Sequence, residues 1–210
     1  PFSAIFWGGI STEALLRRWQ ALFDAGLPFD YCWIDAGWYE PLRGTTTAEQ
    51  SAQWMQTGSW EVSRYYHPDG YRDVTAFLKE HGVRFLLWFE PERVVDTSWM
   101  NENSGGVIKY LTADNNATLV DFSDDATTDY MIDLIYGLIR GSGVTWYRQD
   151  FNMNPAKNWS TADTADRVGI TETKYITNLY RFLDTLRSRS EGQGYDFFMD
   201  NCASGGKRLD

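Results

Sequence analysis

The most informative residues of this sequence are carboxylates that stand at the ends of apolar segments. Asp35, Glu90, Asp150 and Asp200 each lie at or just beyond the end of such a segment. Any one of them is explained as the cap of a following helix, since Asp is a favoured N-cap residue. Four in a row instead predict a cluster, because the carboxyl ends of the strands meet at one rim of a βα-barrel or open α/β sheet, where active sites are built.

Aromatic side chains accompany these carboxylates. Trp38, Trp88 and Trp146 are close to them in sequence, and aromatic residues make up 16% of the chain. Flat apolar faces suit the rings of sugars, although a Trp on a barrel strand is also common in a plain core. With only His67 and His81 as imidazoles, this combination favours glycoside chemistry over a zinc or triad hydrolase.

Asp150 is the candidate for an ionised carboxylate. Residues two apart on a strand point to the same side, so Arg148 and Asp150 are predicted to face the site together while Gln149 faces the helices. A guanidinium beside a carboxylate lowers its pKa and keeps it charged at neutral pH, as a nucleophile requires. A structural ion pair inside a barrel is the alternative interpretation.

Short apolar runs alternate with amphipathic stretches along the chain, the order that builds a parallel sheet covered by helices. Strands are predicted at residues 4–7, 29–35, 83–89, 144–150 and 195–199, with a shorter extended piece at 119–122. Helices are predicted at 11–26, 73–81 and 124–141, and after the fourth strand to about residue 186. Residues 39–70 show no clear period, and their length predicts a functional loop.

Composition limits the partners of the protein. Lys plus Arg number 19 against 29 Asp plus Glu, and the net charge of −10 argues against nucleic acid or an acidic membrane surface as a partner. No apolar run is long enough to span a bilayer. Cys32 and Cys202 are too few for a disulfide framework or a structural zinc site. No secretory leader opens at Pro1, and both a cytoplasmic and a secreted location stay open.

Six segments, in the correct order along the chain, resemble the motifs of glycoside hydrolase family 36 and its clan D relatives, the α-galactosidases or melibiases. They are residues 33–38 (WIDAGW), 67–70 (HPDG), 87–92 (LWFEPE), 119–123 (LVDFS), 148–152 (RQDFN) and 202–210 (CASGGKRLD). The last of them is specific, because it matches the family pattern Cys-x-x-Gly-Gly-x-Arg-x-Asp at every fixed position.

The resemblance implies a retaining exo-α-glycosidase that works by double displacement. Asp150 corresponds to the family's nucleophile and Asp210 to its acid/base, with carboxyl groups expected about 5 to 5.5 Å apart. The substrate-binding residues that it implies are Asp35, Trp38, Trp88, Glu90, Arg148, Asn152, Cys202, Gly205 and Arg208. The expected partner is a carbohydrate substrate, and no metal or cofactor is expected.

Two departures from the family pattern concern the substrate. Ala36 replaces the second of two aspartates that hold the O4 and O6 hydroxyls of galactose in the family, and Arg148 replaces a Lys. A terminal α-galactoside is the first hypothesis for the substrate. A related α-glycosidase such as an α-N-acetylgalactosaminidase, a transglycosylase, and a non-catalytic carbohydrate-binding protein are the alternatives.

The resemblance also implies a (β/α)8 TIM-barrel type of α/β fold. A full barrel has roughly 250 residues, so residues 1–210 are expected to form a partial barrel with about the first five βα units, lacking the C-terminal part of the barrel and the family's N-terminal β domain. An open barrel exposes apolar surface, and it is expected to aggregate or to form a homo-oligomer.

Overall fold

A computed structural model describes residues 10–40, 55–113, 118–191 and 196–203 of the chain. The strand predicted at residues 4–7 lies outside these ranges. The described helices and strands are, in chain order, α1 (Thr12–Asp24), β1 (Tyr31–Ile34), α2 (Arg72–Glu80), β2 (Arg84–Phe89), β3 (Arg93–Val94), α3 (Ser98–Ser104), β4 (Tyr110–Leu111), β5 (Thr118–Val120), α4 (Asp125–Ser142), β6 (Trp146–Gln149), α5 (Ala156–Ala162), α6 (Ile170–Glu191) and β7 (Phe198–Asn201).

A parallel sheet with the strand order β1-β2-β6-β7 forms the centre of the fold. The α/β arrangement with a parallel sheet is therefore confirmed. The fifth predicted strand is displaced: it begins at Phe198 and continues to Asn201, past the predicted end at residue 199. Asp200 lies inside this strand and not beyond its end, because it pairs in register with Arg148 of β6.

The two faces of the sheet differ in burial. Along β1 and β6 buried residues alternate with partly exposed ones, and the buried set includes Cys32, Ile34, Tyr147 and Gln149. Side chains two apart on a strand share a face. The second face carries the partly exposed residues Tyr31, Trp33, Trp146 and Arg148. We call this second face the inner face. Asp35 and Asp150 follow the ends of β1 and β6 at its edge.

Local capping explains where the helices begin and end. The Ser11 hydroxyl accepts a hydrogen bond from the Ala14 N–H (3.3 Å) at the start of α1, and Asp124 accepts one from the Thr127 N–H (2.9 Å) at the start of α4. Helix α4 ends at Gly143, whose positive φ of 64° favours glycine. The helix predicted after the fourth strand is divided into α5 and α6, and α6 packs against α4.

The piece predicted at residues 119–122 is extended, but it does not join the parallel sheet. Strand β5 forms the middle of a small antiparallel sheet with β3 and β4. The Val120 N–H donates to the Glu92 carbonyl (2.8 Å), so this small sheet is joined to the segment that follows β2. Strand β3 of this sheet begins four residues after β2, the strand that carries Trp88.

Candidate functional site

Asp150 stands immediately after β6 and accepts hydrogen bonds on both carboxylate oxygens. Its Oδ1 accepts from the Phe151 N–H (2.8 Å), and its Oδ2 accepts from Asn152 Nδ2 (2.9 Å) and Trp88 Nε1 (3.2 Å). Burial raises the pKa of this carboxyl, but the donors from Asn152, Phe151, Trp88 and Cys202 outweigh it and hold the pKa below its usual value. Asp150 is therefore an ionised carboxylate at neutral pH.

Arg148 was predicted to lie beside Asp150 and to lower its pKa, but the structure pairs the Arg148 guanidinium with Asp200 instead. Arg148 Nη1 forms an ion pair with Asp200 Oδ2, and its guanidinium carbon lies 4.9 Å from the ring centre of Trp33. Asp200 also accepts from Trp146 Nε1 (2.9 Å). The strand register places Asp200 directly opposite Arg148. Directly opposed residues on neighbouring strands lie closer together than residues two apart on the same strand, such as Arg148 and Asp150. The main contributions that keep Asp150 charged come from neutral donors, and the charge of Arg93 also interacts with this carboxylate.

Asp35 stands after β1, and its pKa is shifted in the opposite direction from that of Asp150. Burial raises the pKa of this carboxyl, and the negative charge of Asp150 adds to the increase. The Ala36 N–H, which donates to Asp35 Oδ1 (2.7 Å), and the positive charge of Arg148 oppose it without cancelling it. The structure thus brings together two carboxyls whose pKa values are shifted in opposite directions, that of Asp35 upward and that of Asp150 downward.

Glu90, predicted as a substrate ligand, is fully buried behind the site. Arg93 donates from Nε to Glu90 Oε1 (2.9 Å) and from Nη2 to Oε2 (2.6 Å), and the Asn152 N–H also donates to Oε1 (2.6 Å). Both oxygens are therefore engaged by protein donors, and a sugar hydroxyl has no access to them. The structure corrects the role of Glu90 from ligand to anchor for the segment after Asp150.

Sequence reasoning missed a second buried carboxylate network, centred on Glu92. Glu92 Oε1 accepts from Gln149 Nε2 (2.9 Å) and Oε2 accepts from the Tyr175 hydroxyl (2.8 Å). Gln149 in turn accepts from the Tyr147 hydroxyl (2.8 Å). Glu92 thus joins Gln149 of β6 to Tyr175 of α6. Gln149 faces the helices, as predicted. The spacing of Glu90 and Glu92 on either side of Pro91 was the only sign of this network in the sequence.

Trp38 and Trp88 were predicted as stacking faces for a sugar, and both are buried instead, at 0% and 2% exposure. Trp38 Nε1 donates to the Trp88 carbonyl (2.8 Å), and the Trp38 ring packs against Tyr39 and Trp60. These neighbours come from the segment that follows β1 and cover both indoles. Trp88 contributes to the site through its N–H, which Asp150 accepts, and not through an open ring face.

The remaining predicted residues divide into two groups. Asn152 and Cys202 lie against Asp150, and the Cys202 N–H donates to the Gln149 carbonyl (2.7 Å), which ties the end of β7 to β6. Asp210, Gly205 and Arg208 lie outside the described residues. Within the described ranges, no three His, Cys, Asp or Glu side chains converge as metal ligands, and no helix is long and apolar enough to cross a membrane.

Comparison with known proteins finds similarity to α-galactosidases. The family model described as Melibiase matches residues 21–210. Alpha-galactosidase AgaA of Geobacillus stearothermophilus is 25% identical over 182 residues, which cover 84% of this chain and 23% of that protein. Alpha-galactosidase 2 of Pediococcus pentosaceus is 25% identical over 183 residues, covering 84% and 24%. The chain therefore spans about a quarter of the length of these relatives.

Solved structures have the same fold. A variant of AgaA from Geobacillus stearothermophilus, a family 36 α-galactosidase solved in complex with stachyose, superposes with a TM-score of 0.75 at 23% identity, over 97% of this chain and 27% of that one. The complex of another AgaA variant with raffinose gives a TM-score of 0.74 at 22% identity, over 96% and 27%. The chain shares the α/β fold of the TIM-barrel domain of these enzymes.

Proposed function

Because the chain belongs to the melibiase family, we propose that it carries the catalytic rim of a retaining exo-α-glycosidase that acts on terminal α-galactosides. The observation that carries the proposal is the setting of Asp150: three neutral donors hold its carboxylate in place and lower its pKa. A nucleophile has to be ionised and fixed in position at neutral pH.

The proposed reaction has two steps. In the first, an Asp150 oxygen forms a bond to the anomeric carbon, the glycosidic carbon–oxygen bond breaks, and the Asp210 proton moves to the leaving oxygen. In the second, Asp210 takes a proton from water, the water oxygen attacks the anomeric carbon, and the bond to Asp150 breaks. The sugar leaves with its original configuration, and both carboxyl groups return to their starting protonation states.

Sugar binding is assigned to residues that face the rim. Asp35 holds a hydroxyl group, whose proton a carboxylate oxygen accepts. Arg148, Asn152 and Cys202 lie on the same rim, and Gly205 and Arg208 join them by resemblance to the family. The proposal assigns no sugar contact to Trp38, Trp88 and Glu90, because they are buried and hydrogen-bonded to protein groups.

The proposed domain organisation follows from the size of the relatives. Residues 1–210 form about the first five βα units of a (β/α)8 barrel, and the rest of the barrel comes from outside this chain. The parallel order β1-β2-β6-β7 and the coverage of 23% of AgaA support this proposal.

Ala36 favours a second candidate within the same chemistry. Its side chain is buried and lacks the carboxylate that holds a galactose hydroxyl in the family. A sugar altered at C4 or C6, an α-N-acetylgalactosaminide, or transfer of the sugar to another acceptor is therefore an alternative. The α-galactosidase names of the relatives and their complexes with stachyose and raffinose support the α-galactoside as the first choice.

The proposal is tested with a panel of nitrophenyl α-glycosides on the full-length protein, followed by proton NMR of the released sugar. We expect the α-galactoside to be cleaved and the α-anomer to appear first. Release of the β-anomer first would show inversion and remove the nucleophile role of Asp150. Preferential cleavage of another α-glycoside would support the proposed mechanism and contradict the proposed substrate.

A further inference from the structure

Asp200 is a rim carboxylate to which neither the family motifs nor the proposed reaction assign a role. It lies on β7 in register with Arg148 and accepts from Arg148 Nη1 and from Trp146 Nε1 (2.9 Å). The side chains of Arg148 and Asp200 are 25% and 30% exposed. A pair this accessible to water contributes little to folding stability, so stability alone does not explain why the two charges are paired here.

Two contacts fix the Arg148 guanidinium and leave part of it available. Asp200 binds Nη1, and the Trp33 ring lies against the plane of the group at 4.9 Å. Nε and Nη2 of Arg148 donate to no residue within the described ranges. A guanidinium has five N–H donors in a rigid fork, so fixing one side sets the direction of the others. The free donors suit the hydroxyl oxygens of a neutral sugar.

The position of Arg148 also allows it to compete with the substrate for the Asp150 carboxylate. Arg148 and Asp150 are two residues apart, so they share a face of the chain. A guanidinium released from Asp200 is long enough to reach Asp150 and pair with it, and the carboxylate oxygens would then be unavailable to an anomeric carbon. Arg148 already acts on Asp35 at the same rim, where its charge lowers the pKa.

We propose that Asp200 is a positioning residue that holds the Arg148 guanidinium away from the Asp150 carboxylate and presents its remaining N–H groups to a sugar hydroxyl. This inference rests on the proposed glycosidase function and deepens it. It assigns sugar recognition at this rim to a charged pair on β6 and β7, acting beside Asp35 on β1.

The test is a double-mutant cycle in the full-length protein with dinitrophenyl α-galactoside as substrate. Asp200→Asn keeps an oxygen for the Trp146 N–H and removes the charge that holds Arg148. We expect kcat/KM to fall roughly tenfold, with an increase in KM as well as a decrease in kcat. Asp200→Glu should recover part of the loss. In an Arg148→Met background, Asp200→Asn should cause no further loss.

Asp196→Asn is the matched control, because Asp196 forms an exposed pair with Arg84 (3.8 Å) at the other end of β7. It should leave kcat and KM unchanged. Thermal unfolding of each variant shows whether the fold is kept, and Asp200→Ser, which also removes the charge, replaces Asp200→Asn in the cycle if the latter is unfolded. An equal loss in both backgrounds would overturn the role of Asp200 while the glycosidase function stands. A wild type that cleaves no α-glycoside would remove the function and this inference together.

Discussion

Asn152 joins the buried Glu90 carboxylate to the Asp150 carboxylate at the rim. Its backbone N–H donates to Glu90 Oε1 (2.6 Å), and its side-chain amide donates to Asp150 Oδ2 (2.9 Å). Glu90 is held in turn by two donors of Arg93. The position of the proposed nucleophile therefore depends on the buried ion pair between Glu90 and Arg93.

Glu90→Gln is expected to lower both stability and turnover, because it removes the charge opposite the buried Arg93. Breaking a buried pair on one side costs about 3–5 kcal/mol. Denaturant unfolding measures the loss of stability, and kcat/KM measures the displacement of Asp150. Glu13→Gln, at the exposed pair with Arg17, is the control and should cost less than about 1 kcal/mol. Wild-type stability and activity in Glu90→Gln would contradict the anchoring role.

Asp150→Gly is expected to abolish hydrolysis of natural glycosides, because no other group then forms the glycosyl–enzyme bond. Azide fits the space left by the side chain and should partly restore turnover of an activated nitrophenyl glycoside. The measurement is the rate with and without azide, and the wild type in azide is the control. A variant that stays active without azide would exclude Asp150 as the nucleophile.

Asp210→Ala is expected to affect substrates unequally. A dinitrophenolate leaves without a proton, so the first step no longer needs a general acid. The loss in kcat/KM should be far larger for a plain disaccharide than for the dinitrophenyl glycoside. Equal losses on both substrates would count against Asp210 as the acid/base.

Ala36→Asp is expected to raise kcat/KM for α-galactosides relative to other α-glycosides, because it restores a charged acceptor for a hydroxyl. A hydrogen bond to a charged group contributes about 1.5 to 3 kcal/mol, or roughly one to two powers of ten in rate. The gain should increase with pH, since a second carboxylate beside Asp35 raises the pKa of both. A wild type that already cleaves α-galactosides efficiently, with a less active variant, would show that another residue supplies the contact.

His67 should make the protein less stable in acid. It is buried, its Nδ1 lies 2.9 Å from the Thr12 hydroxyl, and burial lowers its pKa to about 4. An unfolded His has a pKa of about 6.5, so the unfolded state binds the proton more tightly and stability falls as pH drops from 6.5 towards 4. The contribution is about 3 kcal/mol. In denaturant unfolding at several pH values, with the wild type measured alongside, His67→Gln should flatten this part of the curve.

The strands and the position of Asp150 could be predicted from the sequence because they depend on local patterns. Apolar runs bounded by glycine and charged residues give β1, β2 and β6 at nearly the observed positions. The carboxylates follow from where those runs end. Even the inward and outward sides of β6 follow from the two-residue period of a strand.

The errors concern contacts between distant segments. Arg148 was assigned to Asp150, its neighbour in the chain, because the register that brings Asp200 opposite it joins strands about fifty residues apart. Trp38 and Trp88 were assigned to the substrate because the residues that bury them, such as Trp60, lie in a segment without period. Burial by a loop leaves no trace in a local pattern, and neither does pairing across a sheet.

The donors that hold Asp150 come from three adjacent strands, through Trp88 on β2, Asn152 after β6 and Cys202 after β7. Asp35, just after β1, accepts a hydrogen bond from the N–H of the next residue. The Asp35 carboxylate therefore has a support apart from the donors that hold Asp150. Residues at the end of β1, as at Ala36, can therefore differ while the donors on β2, after β6 and after β7 still hold Asp150.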